Sequence, residues 1–296
     1  MYDVVIPVKN EEKSILAVLT TVLRLPIRYI ILVLNGCTDR TLELTRSIPD
    51  KRIHTIYFAD SLGIDIPRAV GALYARKLNS QGVLFVDGDM SGNIFPNLKS
   101  LLNALDQEID ISLTNCYPYI THRAKLAHLV SRFRANLNKE LRLFHDLGLA
   151  TPTHGPHALS AKALESIPPE GIAIPPLSLV WATKLGLRIQ VATSIRHEDL
   201  KSPRKHRKHA RLIAETIIGD CVMGFALAHD EPLTRSLGKH QMLGYHPERR
   251  FDILKLWQEA LEISHPYCEQ HLIIPCCVMS QANPASDEVS IKTEKS

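Results

Sequence analysis

Two carboxylates separated by one glycine, Asp87-Gly88-Asp89, follow directly on the apolar run Val83-Leu84-Phe85-Val86. Side chains two apart on a strand point the same way, so both acids can face one ligand. Gly88 removes bulk where a diphosphate must come close. Paired carboxylates suit a hard divalent cation, Mg²⁺ or Mn²⁺, which takes oxygen ligands and shares its shell with substrate phosphates. Taken alone, Asp-Gly-Asp equally describes a solvated turn, since Asp and Gly are common turn residues. Two further polar clusters sit at the ends of apolar runs: Lys9-Asn10-Glu11 after Asp3–Val8, and Asn35-Gly36-Cys37-Thr38-Asp39 after Tyr29–Leu34.

The elements that would position these clusters are legible from periodicity. Short β-branched runs at 3–8, 29–34, 53–58 and 82–86 predict strands. Ile15, Leu16, Val18, Leu19, Val22 and Leu23 form a helical stripe. A second stripe passes through Leu42 and Leu44, and a third segment opens with Pro67 at a first helical position and runs to Leu78. Strand–helix–strand repetition with runs apolar on both faces predicts an α/β protein, a Rossmann-like and mostly parallel sheet flanked by helices. In such a sheet the strand ends lie along one edge, where ligands bind at the switch in strand order. Three polar clusters therefore converge in space.

Beyond Asp89 the pattern predicts a helix over 96–107, a strand over 109–115 and a long helix over 123–144. A Pro- and His-containing loop at 152–156 follows, then a helix at 177–185 and a strand at 187–193. Helices at 210–228 and 249–263 close the pattern, and the tail 281–296 reads as disordered. The organisation expected is one continuous catalytic unit over 1–200. A basic lid with C-terminal helices would follow over 201–265.

Composition narrows the class. The chain has 296 residues, 45% hydrophobic and 22% charged, and its net charge of +4 is too small to indicate nucleic acid. The run 217–228 is interrupted by Asp220 and falls short of the ~20 apolar residues of a membrane span. The chain opens on an apolar run without a secretory leader, and its six cysteines show no zinc-like pairing, Cys276 and Cys277 being adjacent. These features predict a reduced, cytoplasmic protein.

With the blocks in place, the chain resembles glycosyltransferase family 2. Val5-Ile6-Pro7-Val8-Lys9-Asn10-Glu11-Glu12 is similar to that family's VIPxxNEE opening, and Asn35-Gly36-Cys37-Thr38-Asp39-Arg40-Thr41 to its DGSTDGT block. Arg68-Ala69-Val70-Gly71 resembles its Arg-Asn-x-Gly run, and Asp87-Gly88-Asp89 its Asp-x-Asp. The resemblance implies the GT-A fold, with a nucleotide-sugar-binding half over 1–115 and an acceptor half over 116–200, a nucleotide-diphosphate sugar donor (UDP- or GDP-linked) and a hexosyl transfer. It also implies roles. Pro7, Val8 and Glu11 would line the nucleoside pocket with Asn10 beside them, Glu11 accepting from a ribose hydroxyl. Asn35 would meet the base, and Arg68 the diphosphate or base. Asp87 would face the ribose side of the metal site next to Gly88, and Asp89 would bind the metal. Asn10 could equally cap the first helix, and Thr38 and Asp39 are read as helix caps.

The later part resembles the family less closely. Where many inverting members carry a Glu-Asp pair, one of them a general base, this chain has Pro175 and Pro176. Three explanations stay open: a retaining transferase, an acceptor already ionised such as a phosphate, or another carboxylate from among Asp146, Glu198 and Asp199. Retaining relatives of the glucosyl-3-phosphoglycerate and mannosylglycerate synthase type carry a late histidine on the metal, and His197 occupies a comparable place. The basic cluster of Lys201, Arg204, Lys205, Arg207 and Lys208 reads as a lid over the diphosphate, a solvated loop, or a peripheral contact with an anionic membrane. A non-catalytic nucleotide-sugar binder and a sugar-phosphate nucleotidyltransferase are the rival readings. The acceptor and the oligomeric state are not legible.

Overall fold

The computed structural model describes residues 1–119, 125–203 and 206–263, and the backbone of 271–274. Arg204, Lys205, Cys276, Cys277 and the tail 281–296 lie outside the described residues. No described helix is long and apolar enough to cross a membrane.

The first half alternates as its periodicity predicts: β1 (Asp3–Val8), α1 (Ile15–Val22), β2 (Ile30–Asn35), α2 (Thr41–Arg46), β3 (Ile53–Phe58), α3 (Ile66–Lys77), β4 (Gly82–Phe85), α4 (Phe95–Asp106) and β5 (Ile111–Asn115). Then come α5 (Lys125–Glu140), α6 (Phe144–Leu147), β6 (His157–Ser160), α7 (Ala161–Ser166), α8 (Pro169–Ala173), α9 (Pro176–Lys184) and β7 (Ile189–Ser194). The remainder comprises α10 (Arg207–Ala228), the hairpin β8 (Ser236–Leu237) and β9 (His240–Gln241), α11 (Phe251–Ile263) and β10 (His271–Ile274).

Eight strands form one sheet in the order β10-β3-β2-β1-β4-β6-β5-β7. Every pairing is parallel except the two made by β6, which runs antiparallel between β4 and β5. Alternate residues of β1 and β2 feed opposite layers. Val5, Ile31 and Val33 pack with α3 on one face, whereas Val4, Ile6, Ile30 and Leu32 pack with α1 and α4 on the other. This two-sided burial explains why the strands read as continuous apolar runs rather than alternating ones. On the first face Trp257 of α11 is fully buried, and its indole N–H donates to the Val70 carbonyl of α3 at 3.1 Å.

Several sequence expectations change. The helix predicted over 123–144 ends at Glu140, because Arg142 adopts a left-handed backbone (φ 60°) and α6 begins two residues later. Asn138 stabilises that break by donating from its side chain to the Gly148 and Ala150 carbonyls. β6, where periodicity predicts no element, is a strand because tertiary pairing overrides the weak strand preference of His-Ala-Leu-Ser. The basic run is divided: from Arg207 it opens α10, where His206 accepts a capping bond from the His209 N–H at 3.3 Å. Asn10 does not cap α1, whose N-cap is Ser14; its Oδ1 accepts from the Thr38 N–H at 2.8 Å. Asp39 does serve the start of α2, accepting from the Thr41 N–H at 3.0 Å.

Candidate active site

The parallel strands end along one edge, and a cavity of about 510 Å³ opens there. Residues following β1 (Lys9, Glu11), ending β2 (Asn35), preceding and opening α3 (Gly63, Ile64, Asp65, Pro67, Arg68) and following β4 (Asp87, Gly88, Asp89) all line it. Pro7 and Val8 form the floor. The three separate polar clusters thus share one cleft.

Two glycines let the metal-type motif reach this position. At Gly71 a Cβ would fall 2.4 Å from a Val5 methyl, so only glycine allows α3 to lie this close to β1. That close approach brings Arg68, one turn earlier, over the end of β4. Gly88 lies against β1, where its N–H donates to the Pro7 carbonyl at 3.2 Å and an added Cβ would sit 3.3 Å from the Val8 methyls.

The Arg68 guanidinium holds both Asp87 oxygens, at 2.6 and 2.8 Å, and Asp65 at 2.6 Å. Burial works against its charge, yet the two carboxylates outweigh that penalty and hold the guanidinium above its ordinary range. Asp65 in turn accepts from Arg249 at 2.9 Å, and Arg249 donates to both oxygens of Asp220 at 2.7 and 2.8 Å. Arg235 completes the series by donating to Asp220 as well. Three aspartates alternate with three arginines from the strand edge into the C-terminal part. The charges balance, as burial requires. His246 joins as a neutral acceptor, facing Arg235 at 3.4 Å and Arg249 at 3.3 Å; burial and the two arginines push its pKa down to about 4.

Asn35 is partly committed: its Oδ1 accepts from the Leu62 N–H at 2.6 Å and its Nδ2 donates to the Gly63 carbonyl at 3.1 Å. One N–H and one lone pair remain for a ligand. Glu11 anchors the β1–α1 turn, accepting from the Ser14 hydroxyl at 3.0 Å while its own N–H donates to Thr41 Oγ1 at 2.8 Å. Asn10 and His197 do not line the cavity. His197 opens a 3₁₀ turn over 197–200 and meets His154, Nδ1 to Nε2, at 2.9 Å. This turn packs on the loop after Asp89, where the Gly92 N–H donates to the Leu200 carbonyl at 3.1 Å.

The proposed substitute bases lie elsewhere. Asp146 pairs with His145, and Glu198 and Asp199 pair with Arg196; none of the three lines the cavity. Pro175 and Pro176 are buried at the start of α9.

The sequence offers a basic lid and helices over 201–265, but not the side wall that they build. His209, Ile213, Thr216, Ile217 and Asp220 form one stripe of α10 along the cavity, and Tyr245 and Glu248 close it from the following loop. His209 Nδ1 and the Tyr245 hydroxyl meet at 2.8 Å. The sequence signals were the basic cluster, with His209 beside it, read as a lid over the diphosphate, and Asp220 interrupting an apolar helical run.

Donor chemistry at the β4 end fits a hard cation, because Asp87 and Asp89 present oxygens into a cavity wide enough for a diphosphate. Among the described residues no group of three or more His, Cys, Asp or Glu is disposed to hold a metal ion. A cation here would also draw ligands from a bound diphosphate and water, as Mg²⁺ characteristically does.

Comparison with known proteins agrees with this architecture. The family model described as glycosyl transferase family 2 matches residues 3–167, more than half the chain. No curated protein matches the sequence. Among solved structures, glucosyl-3-phosphoglycerate synthase from Mycobacterium tuberculosis in complex with phosphoglyceric acid is similar at 17% identity. That match covers 78% of this chain and 81% of that one, with a TM-score of 0.54. The complex of that synthase with Mg²⁺ and uridine diphosphate matches at 18% identity, covering 78% and 80%, with a TM-score of 0.53. A further structure, described as a mycobacterial protein, matches at 17% identity over 78% and 76%, with a TM-score of 0.54. At these identities the structural likeness shows the GT-A fold, whereas the sequence model shows the family. With its four motif blocks gathered at one sheet edge, this chain belongs to glycosyl transferase family 2.

Proposed function

We propose that the protein transfers a hexose from a nucleotide-diphosphate sugar, with Mg²⁺ or Mn²⁺, to an acceptor that is ionised or is glycosylated with retention of configuration. The observation that carries the reading is the shared cleft in which Glu11, Asn35, Arg68, Asp87 and Asp89 meet. The nucleoside would lie over Pro7 and Val8, with Glu11 at the ribose and Asn35 toward the base. Gly88 leaves room for the diphosphate. Asp89 would hold the cation, and Asp87, oriented by Arg68, would face its ribose side. His197 would add a nitrogen from the turn packed beside residues 90–92. A bound divalent cation supplies Lewis-acid stabilisation of the leaving diphosphate. The chain's own residues supply positioning and a fixed electrostatic environment.

The acceptor class follows from the carboxylates. Besides the Asp87-Gly88-Asp89 motif the cavity is lined by Glu11, Asp65, Asp220 and Glu248, of which Asp65 and Asp220 are held in arginine ion pairs and Glu11 accepts from Ser14. Where many inverting members carry a Glu-Asp pair this chain has Pro175 and Pro176 at the start of α9, which favours retention or an acceptor group such as a phosphate. The solved synthases that resemble this chain include complexes with Mn²⁺, uridine diphosphate and phosphoglyceric acid, which supports the same combination of cation, nucleotide and acidic acceptor here. The three described cysteines are free thiols, consistent with a cytoplasmic setting. Lys201, Arg207, Lys208 and Arg211 are exposed beside the cleft and would suit contact with an anionic membrane surface.

Incubation with UDP- and GDP-hexoses and Mn²⁺ tests the reading, with donor hydrolysis or transfer as the readout. Asp89→Ala should lower turnover by about 100-fold or more, equivalent to ~3 kcal/mol of barrier, with the fold intact by circular dichroism. Wild-type turnover in that variant would refute the assignment.

A further inference from the structure

We propose that the donor's base is guanine and that Glu248, which lies beyond the residues matched by the family model, reads it; this rests on the nucleotide-diphosphate reading above. The sheet order gives the cavity a direction. With β4 on one side of β1 and β2 and β3 on the other, a diphosphate at Asp87-Gly88-Asp89 puts the base at the ends of β2 and β3.

That end is walled by the C-terminal segment, held there by backbone. The Arg250 N–H donates to the Leu62 carbonyl at 2.9 Å, and Arg249 Nε donates to the Ile64 carbonyl at 3.2 Å. Gly63 faces the Glu248 carbonyl so closely that an added Cβ would fall 2.3 Å from it. Asn35 pins the opposite side of the same turn through Leu62 and Gly63. Glu248 and Asn35 both line the cavity at this turn.

The acids of this wall differ in what they have to offer. Asp65 and Asp220 are held by Arg68, Arg249 and Arg235. Among the described residues, the exposed Glu248 carboxylate has no hydrogen-bond or ion-pair partner. An ionised carboxylate only accepts, through two parallel oxygens. Guanine offers the matching edge, with the N1–H and N2–H donors side by side. Uracil offers a single N–H between two carbonyl oxygens, so a carboxylate placed there meets one donor and two repelling acceptors. Adenine and cytosine each set a ring acceptor beside their amino group. The remaining Asn35 N–H is suited to donate to guanine O6. Paired charge-assisted bonds of this kind give both affinity and discrimination.

The test is calorimetric titration of GDP, UDP, ADP and CDP with Mn²⁺ into the full chain and into Glu248→Gln. GDP should bind at least tenfold tighter than the others, and Glu248→Gln should lose about tenfold or more for GDP while leaving UDP within twofold. UDP binding as tight as GDP, or equal losses for both nucleotides in Glu248→Gln, would overturn the base assignment and leave the nucleotide-diphosphate reading standing. Binding of none of the four would overturn that reading and this inference with it.

Discussion

At the scale of single residues, the site is organised by what each polar group has already been assigned to hold. Arg68 is matched to two carboxylates, so the Asp87 oxygens face the cavity in a fixed orientation rather than as a mobile turn. Beneath this pair lies His157, buried, stacked on Phe85 at 4.9 Å between ring centroids. Burial first, and the nearby Arg68 charge second, push its pKa down to about 3. The sign follows from linkage. Between that value and the ordinary 6.5, the unfolded chain takes up a proton that the folded chain refuses, so the contribution falls as pH falls. At pH 5 this single residue costs on the order of 2 kcal/mol relative to pH 7. Denaturant titrations of wild type and His157→Phe at both pH values should therefore converge by about that amount on acidification. A constant difference would show that the imidazole titrates normally in the folded protein.

At the scale of elements, α10 and the segment after it are fitted together by a glycine inside a helix. Replacing an interior helical glycine by alanine ordinarily stabilises by about 0.5–1 kcal/mol. At Gly219 the sign reverses. The new Cβ would fall 2.1 Å from the Met242 carbonyl and 2.4 Å from the Arg235 guanidinium, so the hairpin segment must move away. Gly219→Ala should lower stability by about 1–3 kcal/mol, read from the denaturant midpoint. An unchanged or raised midpoint would mean that this segment does not pack on α10 as described. The same close approach positions Asp220 for Arg235, which also donates to the Thr216 and Met242 carbonyls at 2.8 Å each.

At the scale of the whole molecule, a buried charge series joins the part matched by the family model to the part beyond it. The crossing point is Arg249 with Asp65; the arginine side chain is 0% exposed, so solvent screens the pair little. Residues outside the matched region thereby support Arg68, and through it Asp87. A double-mutant cycle of Asp65→Asn and Arg249→Met should return a coupling of about 2 kcal/mol in stability, whereas distant independent sites add to within ~0.5 kcal/mol. Additivity at this pair would show that the two parts are held by apolar packing alone. That packing is itself extensive, with Trp257 of α11 buried against Phe58 and Tyr74.

From sequence alone, the parallel α/β layers and the gathering of Glu11, Asn35, Arg68 and Asp87 to Asp89 at one edge were legible. Two-sided apolar strands and the rule that parallel strands end together are local and topological facts. The motif blocks added what the gathered residues are for. Only the tertiary structure decided the insertion of β6, the break after Glu140, the placement of His197 against His154, and the second wall of the cavity from α10 and Glu248. The physical reason is the same in each case. A four-residue strand without strong preference, a left-handed arginine and a charge series spanning distant segments are set by partners far away in the chain, and local sequence carries almost no trace of them.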